Sequence, residues 1–508
     1  MTARTLMVQG TASSVGKSLM VAAFCRILRQ LGLRVAPFKA QNMALNSFVT
    51  PDGAEIGRAQ AVQAEAAGIA PTADMNPILL KPEPGLRAQV VVMGRPVANL
   101  SFRDYHAMRP ELTRVIGESL ARLRASHDFV VIEGAGSPAE INLRAHDIVN
   151  MHVAREAGAP VVLVGDIDRG GVFAQFVGTI DLLEPDDRAR VAAFLINKFR
   201  GEAALLAPGI EYLERRFGIP MLGVVPYLAR LRIADEDSVA LETRRGRRAG
   251  TDELEIAVIR LPHISNYDDF LPLEHEAGVC VRFIESADEL GGPDLVVIPG
   301  TKSTVADLEW MRRAGLANLV EERARRAEPI LGICGGCQML GRMIEDPLGV
   351  ESPIASVAGL GLLPITTRFG REKRTAQVRA RAAAPSPFTG MASGGGEIAG
   401  YEIHMGATRL DPGAISPFRI FARNGQAAAA DDGAIGGRGG VVAGTMIHGI
   451  FDNPDPRAQM IAWLRARRGL EPTAANSGVT RETEYDRLAT AVRACIDWKK
   501  FARIAGLG

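Results

Sequence analysis

Short runs of consecutive apolar residues recur through the first part of the chain, each followed by a stretch of helical periodicity. The runs at 6–9, 35–38, 129–132, 161–164, 193–196 and 221–225 are apolar on successive rather than alternate residues. Strands of that kind are buried on both faces, as in a parallel sheet covered by helices. The pattern predicts an α/β domain over 1–230. From 231 to 252 the chain turns charged, glycine-punctuated and poor in apolar residues, which marks a linker. A second α/β set follows, with strands expected at 256–261, 279–284, 295–298 and 330–333. Beyond 349 the runs shorten and become more β-like, through 361–367, 375–381 and 441–447. The second domain is expected over 253–455. The tail, 456–508, reads as helical, with helices near 457–467 and 481–504.

Two junctions between an apolar run and a helical pattern carry chemistry. At the first, Gly10, Thr11, Ala12, Ser13, Ser14, Val15, Gly16, Lys17 and Ser18 link the opening strand to the first helix. Backbone N–H groups of such a loop surround phosphates, a lysine reaches the β and γ phosphates, and a serine hydroxyl ligands Mg²⁺. The spacing departs from G-x-x-x-x-G-K-S, since Gly10 lies one residue early and Thr11 takes its place. Glu133 ends a buried strand at the edge where α/β sheets bind ligands, and its carboxylate suits the same metal. Asp52 or Glu55 offers a second carboxylate. Asn197, at another strand end, is suited to a base edge.

At the second junction, the apolar run 330–333 meets Cys334, Gly335 and Gly336 before a helical pattern. A cysteine there is expected on a sharp strand-to-helix elbow with its sulfur exposed, the glycines relieving the crowding and the helix N-terminus favouring thiolate. That is nucleophile geometry. Cys334 and Cys337 also form a C-x-x-C, the pattern of redox pairs and of half a zinc site. The remaining cysteines, Cys25, Cys280 and Cys495, are scattered and supply no second pair.

Charge and composition narrow the partners. Lys plus Arg number 59 and Asp plus Glu 58, so no global field holds nucleic acid or an anionic membrane. The arginines of the linker read as a solvated connection. No apolar stretch reaches the roughly 20 residues of a membrane span, and five cysteines in 508 residues make no disulfide framework. A cytoplasmic protein is expected.

Taken together, the motifs resemble the cobyric acid synthase family. The resemblance rests on the loop 10–18 and the stretches 40–47 (AQNMALNS), 55–60 (EIGRAQ), 133–143 (EGAGSPAEINL) and 165–171 (GDIDRGG). In the second half it rests on 297–302 (VIPGTK), the Cys334 elbow, 400–406 (GYEIHMG) and 446–452 (MIHGIFD). It implies a P-loop-type, dethiobiotin-synthetase-like domain that binds ATP and corrinoid, followed by a class I glutamine amidotransferase domain. The implied reaction is ATP- and glutamine-dependent amidation of the b, d, e and g carboxylates of adenosylcobyrinic acid a,c-diamide, with Mg²⁺. It further implies Cys334 as nucleophile, His448 as its base, the N–H groups of Gly300 and Gly335 as oxyanion hole, and Gln338 near bound glutamine. Asp147, Asp166, Asp168 and Arg169 are implied to face the carboxylate substrate or the phosphate in transfer.

One position departs from the wider amidotransferase pattern. A carboxylate usually follows the catalytic histidine by two residues, and here Ile450 stands there. The sequence therefore reads as a Cys334–His448 dyad without its orienting third member, with His404 a second candidate base. Cobyrinic acid a,c-diamide synthase shares both chemistries but amidates other carboxylates. A ParA-like regulatory ATPase with an inert amidotransferase domain is the reading from another class.

Overall fold

The structure is a computed structural model that describes residues 2–83, 87–229, 231–234, 247–389, 396–473 and 480–507. The chain forms two compact units that do not follow chain order. One comprises Met1–Ala44, Ile56–Glu236 and Val479–Gly508, and the other Leu45–Glu55 and Asp237–Gly478.

All six apolar runs of the first part are strands of one parallel sheet. Its order is Met221–Pro226, Val191–Phe199, Val161–Asp166, Arg4–Gly10, Phe129–Glu133 and Val35–Phe38. Because strand side chains alternate faces, the continuous hydrophobicity fills two cores. Met7, Val130, Ile132, Leu163 and Ile196 enter one core; Leu6, Val8, Val131, Val162 and Leu195 enter the other. The helix Lys17–Gln30 buries Met20 to Leu28 against the second of these.

The tail is divided between the units. Pro454–Arg468 lies in the second, whereas Arg481–Cys495 and Trp498–Ile504 lie in the first, where Phe501 meets Phe24 with ring centroids 5.0 Å apart. The helix expected over 481–504 is two helices, because Asp497 caps a new N-terminus by accepting the Lys500 N–H at 3.1 Å. A four-stranded sheet of Gln41–Met43, Ile78–Glu83, Arg87–Val92 and Arg95–Ser101 was not expected.

In the second unit, Val279–Ile284, Leu254–Ile259, Leu295–Ile298, Ile330–Ile333 and Val442–Thr445 are parallel neighbours, with Ala434–Gly436 added antiparallel at the edge. The first strand begins two residues before the expected 256. A second sheet is built on the long pair Ile365–Ala382 and Ile398–Leu410. Of the expected linker, 235–246 lies outside the described residues. Its far end is held within the second unit, where Arg465 Nη1 donates to the Asp252 carbonyl at 3.3 Å. Among the described residues no helix is long and apolar enough to cross a membrane.

Candidate functional site

The buried strand Ile330–Ile333 delivers Cys334 to the start of the short helix Gly335–Leu340. Cys334 has φ 51° and ψ −109°, a backbone that side-chain-bearing residues rarely adopt. The elbow predicted from the glycines is therefore real, and it carries backbone strain at Cys334. The sulfur is not exposed as expected but nearly buried, because the strand Ile398–Leu410 covers it, with Sγ 3.7 Å from the Ile403 carbonyl oxygen.

His448 lies on the strand Ile447–His448, close enough to Cys334 for the sulfur to act on its imidazole. Its Nδ1 lies 2.7 Å from Asp269 Oδ2, while Asp269 Oδ1 accepts the Gly449 N–H at 2.8 Å. The expected dyad is thus corrected to a triad. Its carboxylate comes from the turn Tyr267–Phe270, 179 residues before the histidine, and Ile450 is simply buried. With both oxygens of Asp269 engaged, the imidazole has one orientation. Tyr401 stacks on it at 5.3 Å and 17°. Burial opposes protonation of His448, but the Asp269 carboxylate and the Cys334 sulfur outweigh it and raise the imidazole to about 10.

Gly300 belongs to the same cluster, since a Cβ there would stand 2.8 Å from His448 Cε1. Glycine is required by that approach. Gly335 is equally close to the loop after Gly300, where an added Cβ would meet Thr301 Cγ2 at 2.7 Å. Gln338 is fixed at both ends of its amide, accepting from Thr304 Oγ1 at 3.0 Å and donating to the Met405 carbonyl at 3.2 Å. Cys337 is fully buried, and burial pushes its thiol well above the usual value. Among the described residues all cysteines are free, and no group of three or more His, Cys, Asp or Glu stands together as metal ligands. His404 lies apart from the triad's hydrogen bonds, with Nδ1 3.1 Å from the Gly406 carbonyl and Nε2 3.9 Å from Glu402.

In the first unit, Ser14 (φ 58°) and Gly16 (φ 97°) turn the loop between Gly10 and Lys17. Gly10 is needed, because a Cβ would meet Val15 Cγ2 at 2.6 Å and the Ala12 carbonyl at 2.9 Å. Thr11 Oγ1 donates to Gln175, whereas Ser13 and Ser14 are exposed at the loop's rim. Lys17 Nζ donates to the carbonyls of Ala12 and Gly136, each at 3.0 Å. Ser18 Oγ donates to Glu133 Oε1 at 2.8 Å, and Glu133 also receives Lys39 at 2.9 Å and Gln63 at 2.5 Å. A hydroxyl and a carboxylate converge there at the end of a buried strand, a donor pair suited to Mg²⁺.

Other expected residues have structural partners. The Asn197 amide nitrogen donates to the Val15 carbonyl at 2.8 Å and so braces the loop. Asp166 binds Lys198 at 2.8 Å, Lys198 reaches the Ser14 carbonyl at 2.7 Å, Asp168 pairs with Arg200 at 2.9 Å, and Arg169 is exposed. Asp147 accepts the N–H groups of Val149, Asn150 and His152, capping the helix Met151–Ala157. Glu55 is a member of the second unit, buried in an ion pair 2.5 Å from Lys373; Asp52 hydrogen-bonds Thr50.

Sequence reasoning missed Asp269, Lys39 and Gln63. The sequence signal available for Lys39 was its place directly after the apolar run 35–38, at a strand end like that of Glu133.

Residues 6–240 match the CobQ/CobB/MinD/ParA nucleotide binding domain, and residues 255–456 the CobB/CobQ-like glutamine amidotransferase domain. The chain is 63% identical to a cobyric acid synthase of Sorangium cellulosum, covering 100% of this chain and 99% of that protein. It is 52% identical to one from Moorella thermoacetica, over 99% of this chain and 98% of the other.

Proposed function

The chain belongs to the cobyric acid synthase family, glutamine-dependent ligases of cobalamin biosynthesis, and we propose that it amidates the b, d, e and g carboxylates of adenosylcobyrinic acid a,c-diamide with ATP and glutamine. The observation that carries this reading is the Asp269–His448 hydrogen bond beside Cys334 on its strained elbow. An inert amidotransferase domain has no use for it.

In this mechanism the Cys334 thiolate attacks the side-chain carbonyl carbon of glutamine, and the carbonyl electron pair moves to oxygen. The N–H groups of Gly300 and Gly335 meet that oxyanion. Collapse breaks the C–N bond as His448 passes its proton to the leaving nitrogen, releasing ammonia and leaving a thioester. His448 then takes a proton from water, which opens the thioester to glutamate and restores Cys334.

The acceptor needs separate activation, because a carboxylate is a poor electrophile. Its oxygen attacks the γ phosphorus of ATP, ADP leaves, and the acyl phosphate loses phosphate to ammonia. Lys17 offsets the charge of the transferring group, and the loop 10–18 orients the triphosphate. We assign Mg²⁺ to Ser18 and Glu133, where it would neutralise phosphate charge; the commitment of Glu55 to Lys373 speaks against its being a third ligand. Asp166, Asp168 and Arg169 remain our candidates for the side facing the acceptor, and Asp147 holds the start of the helix Met151–Ala157. Free cysteines fit a reducing compartment, the cytoplasm.

Mass spectrometry of corrinoid products formed with ATP and glutamine tests the proposal. Four added amides are expected. Amidation of the a and c carboxylates instead would make the chain an a,c-diamide synthase, and nucleotide hydrolysis without glutamate release would support a regulatory ATPase.

A further inference from the structure

In sequence, Leu45–Glu55 is an excursion between two elements of the nucleotide-binding unit, Gln41–Met43 and Arg58–Ala67, yet it belongs to the second unit. Its contacts there converge on the glutamine-hydrolysing site. Asn46 Oδ1 accepts the Asn266 N–H at 2.8 Å, and the Ser47 N–H donates back to Asn266 Oδ1 at 3.0 Å. Asn266 holds a left-handed backbone, φ 54°, and opens the turn that carries Asp269. The residue before it, Ser265, donates its N–H to the Gly300 carbonyl at 2.9 Å.

A second contact reaches the histidine. Phe48 packs on Tyr401 with ring centroids 5.5 Å apart, and Tyr401 stacks on His448. Val49 joins Tyr401 and Ile403 in one buried cluster, and the Ile403 carbonyl is the neighbour of the Cys334 sulfur. The excursion is pinned further out by the Glu55–Lys373 ion pair and by Thr375 Oγ1, which donates to the Gly53 carbonyl at 2.8 Å. The Asn46 amide nitrogen is buried without a hydrogen-bond partner, so the oxygen is the atom that earns this residue its place.

We infer that Leu45–Glu55 is the positioning element of the Cys334–His448–Asp269 triad, acting through Asn46 on the Asp269 turn and through Phe48 on the Tyr401–His448 stack. It fixes the carboxylate, the imidazole and the Gly300 loop, groups that come from separate parts of the second unit. The inference rests on the proposed glutamine hydrolysis but not on the identity of the acceptor.

The test uses the full chain carrying Asn46→Ala or Phe48→Ala, with glutamate release measured without corrinoid. A displacement of about 1 Å in such a site costs on the order of 100-fold. Each variant is expected to lose about ten- to a hundredfold in kcat, with the KM for glutamine little changed, because orientation rather than binding is lost. Phe48→Tyr, which keeps the ring, restores most of the rate. Product formation from ammonium chloride, which bypasses the triad, is retained in all three. Unchanged kcat in folded Asn46→Ala and Phe48→Ala overturns the inference, as does an equal loss of ammonia-driven synthesis, which marks general destabilisation. If the unaltered protein releases glutamate but amidates no corrinoid, the proposed function fails while this inference stands.

Discussion

Asp269 Oδ2 lies 2.7 Å from His448 Nδ1, and the other oxygen of the same carboxylate accepts the Gly449 N–H at 2.8 Å. One side chain therefore fixes the histidine's ring and the backbone that follows it. On the proposed mechanism its charge would also stabilise the imidazolium formed when Cys334 gives up its proton. Asp269→Asn should keep the fold while lowering glutamate release about 10²- to 10⁴-fold. A rate within threefold of the unaltered protein (about 0.7 kcal/mol in barrier) would remove Asp269 from the mechanism.

The same relationship sets a pH dependence. The imidazole is raised to about 10, so it holds its proton through the neutral range. Glutamine hydrolysis should persist into alkaline solution and fall as pH rises through about 10, and the limb should move to lower pH in Asp269→Asn. For stability the sign follows from a raised folded value. The contribution is complete below the unfolded value of about 6.5 and is lost as pH rises toward the folded one. Titration of kcat/KM for glutamine checks this, and an alkaline limb unmoved by Asp269→Asn would contradict it.

The two cysteines of the C-x-x-C differ in environment, and their substitutions should differ too. Cys334→Ser should abolish glutamine-dependent synthesis, because a hydroxyl in the same place is far less ionised. Cys337→Ser should keep most of the activity, its thiol being buried, protonated and packed inside the helix. Equal loss in both folded variants under reducing conditions would point to a paired thiol.

What was legible depended on whether the signal was local. The six runs of the first sheet are buried on both faces, so burial alone wrote them as continuous apolar stretches. The elbow at Cys334 and the loop to Lys17 were legible because glycine spacing reports backbone crowding directly. The sheet containing Ile78–Glu83 and Arg87–Val92 was hidden by Lys81, Pro82 and Gln89, which interrupt its apolar positions. Asp269 was out of reach for a different reason. Its partner is distant in sequence, and no periodicity relates a carboxylate on one turn to a histidine on another strand. Leu45–Glu55 was similarly hidden, since membership of a compact unit is decided by partners such as Asn266 and Lys373.

Glu133 gathers Ser18, Lys39 and Gln63 around a buried carboxylate. Glu133→Gln would offer Mg²⁺ a neutral amide, a poor ligand for a hard cation, and would set an NH₂ group against the donors now facing the carboxylate. ATP turnover in the presence of corrinoid should fall at least about tenfold, while glutamate release continues. Normal ATP turnover in this variant would end the metal assignment.

The last prediction separates the two chemistries, which on the proposed mechanism share only ammonia. If Cys334 serves solely to make ammonia, Cys334→Ala should still convert the corrinoid at high ammonium and alkaline pH, where more of the nitrogen is unprotonated and nucleophilic. Lys17→Ala should not be rescued in this way. Lys17 stands in the loop that would hold the phosphates, and losing a cation at the transferring phosphoryl group removes transition-state stabilisation that no nitrogen source replaces. Mixing the two variants with glutamine tests the route of the ammonia: little recovery is expected if it is channelled within one chain, and recovery rising with protein concentration indicates release to solution. Product formation from ammonium chloride in each single variant is the deciding measurement. A folded, ATP-binding Cys334→Ala protein unable to use ammonia would show that the cysteine does more than hydrolyse glutamine, and comparable rescue of Lys17→Ala would take the loop out of phosphoryl transfer.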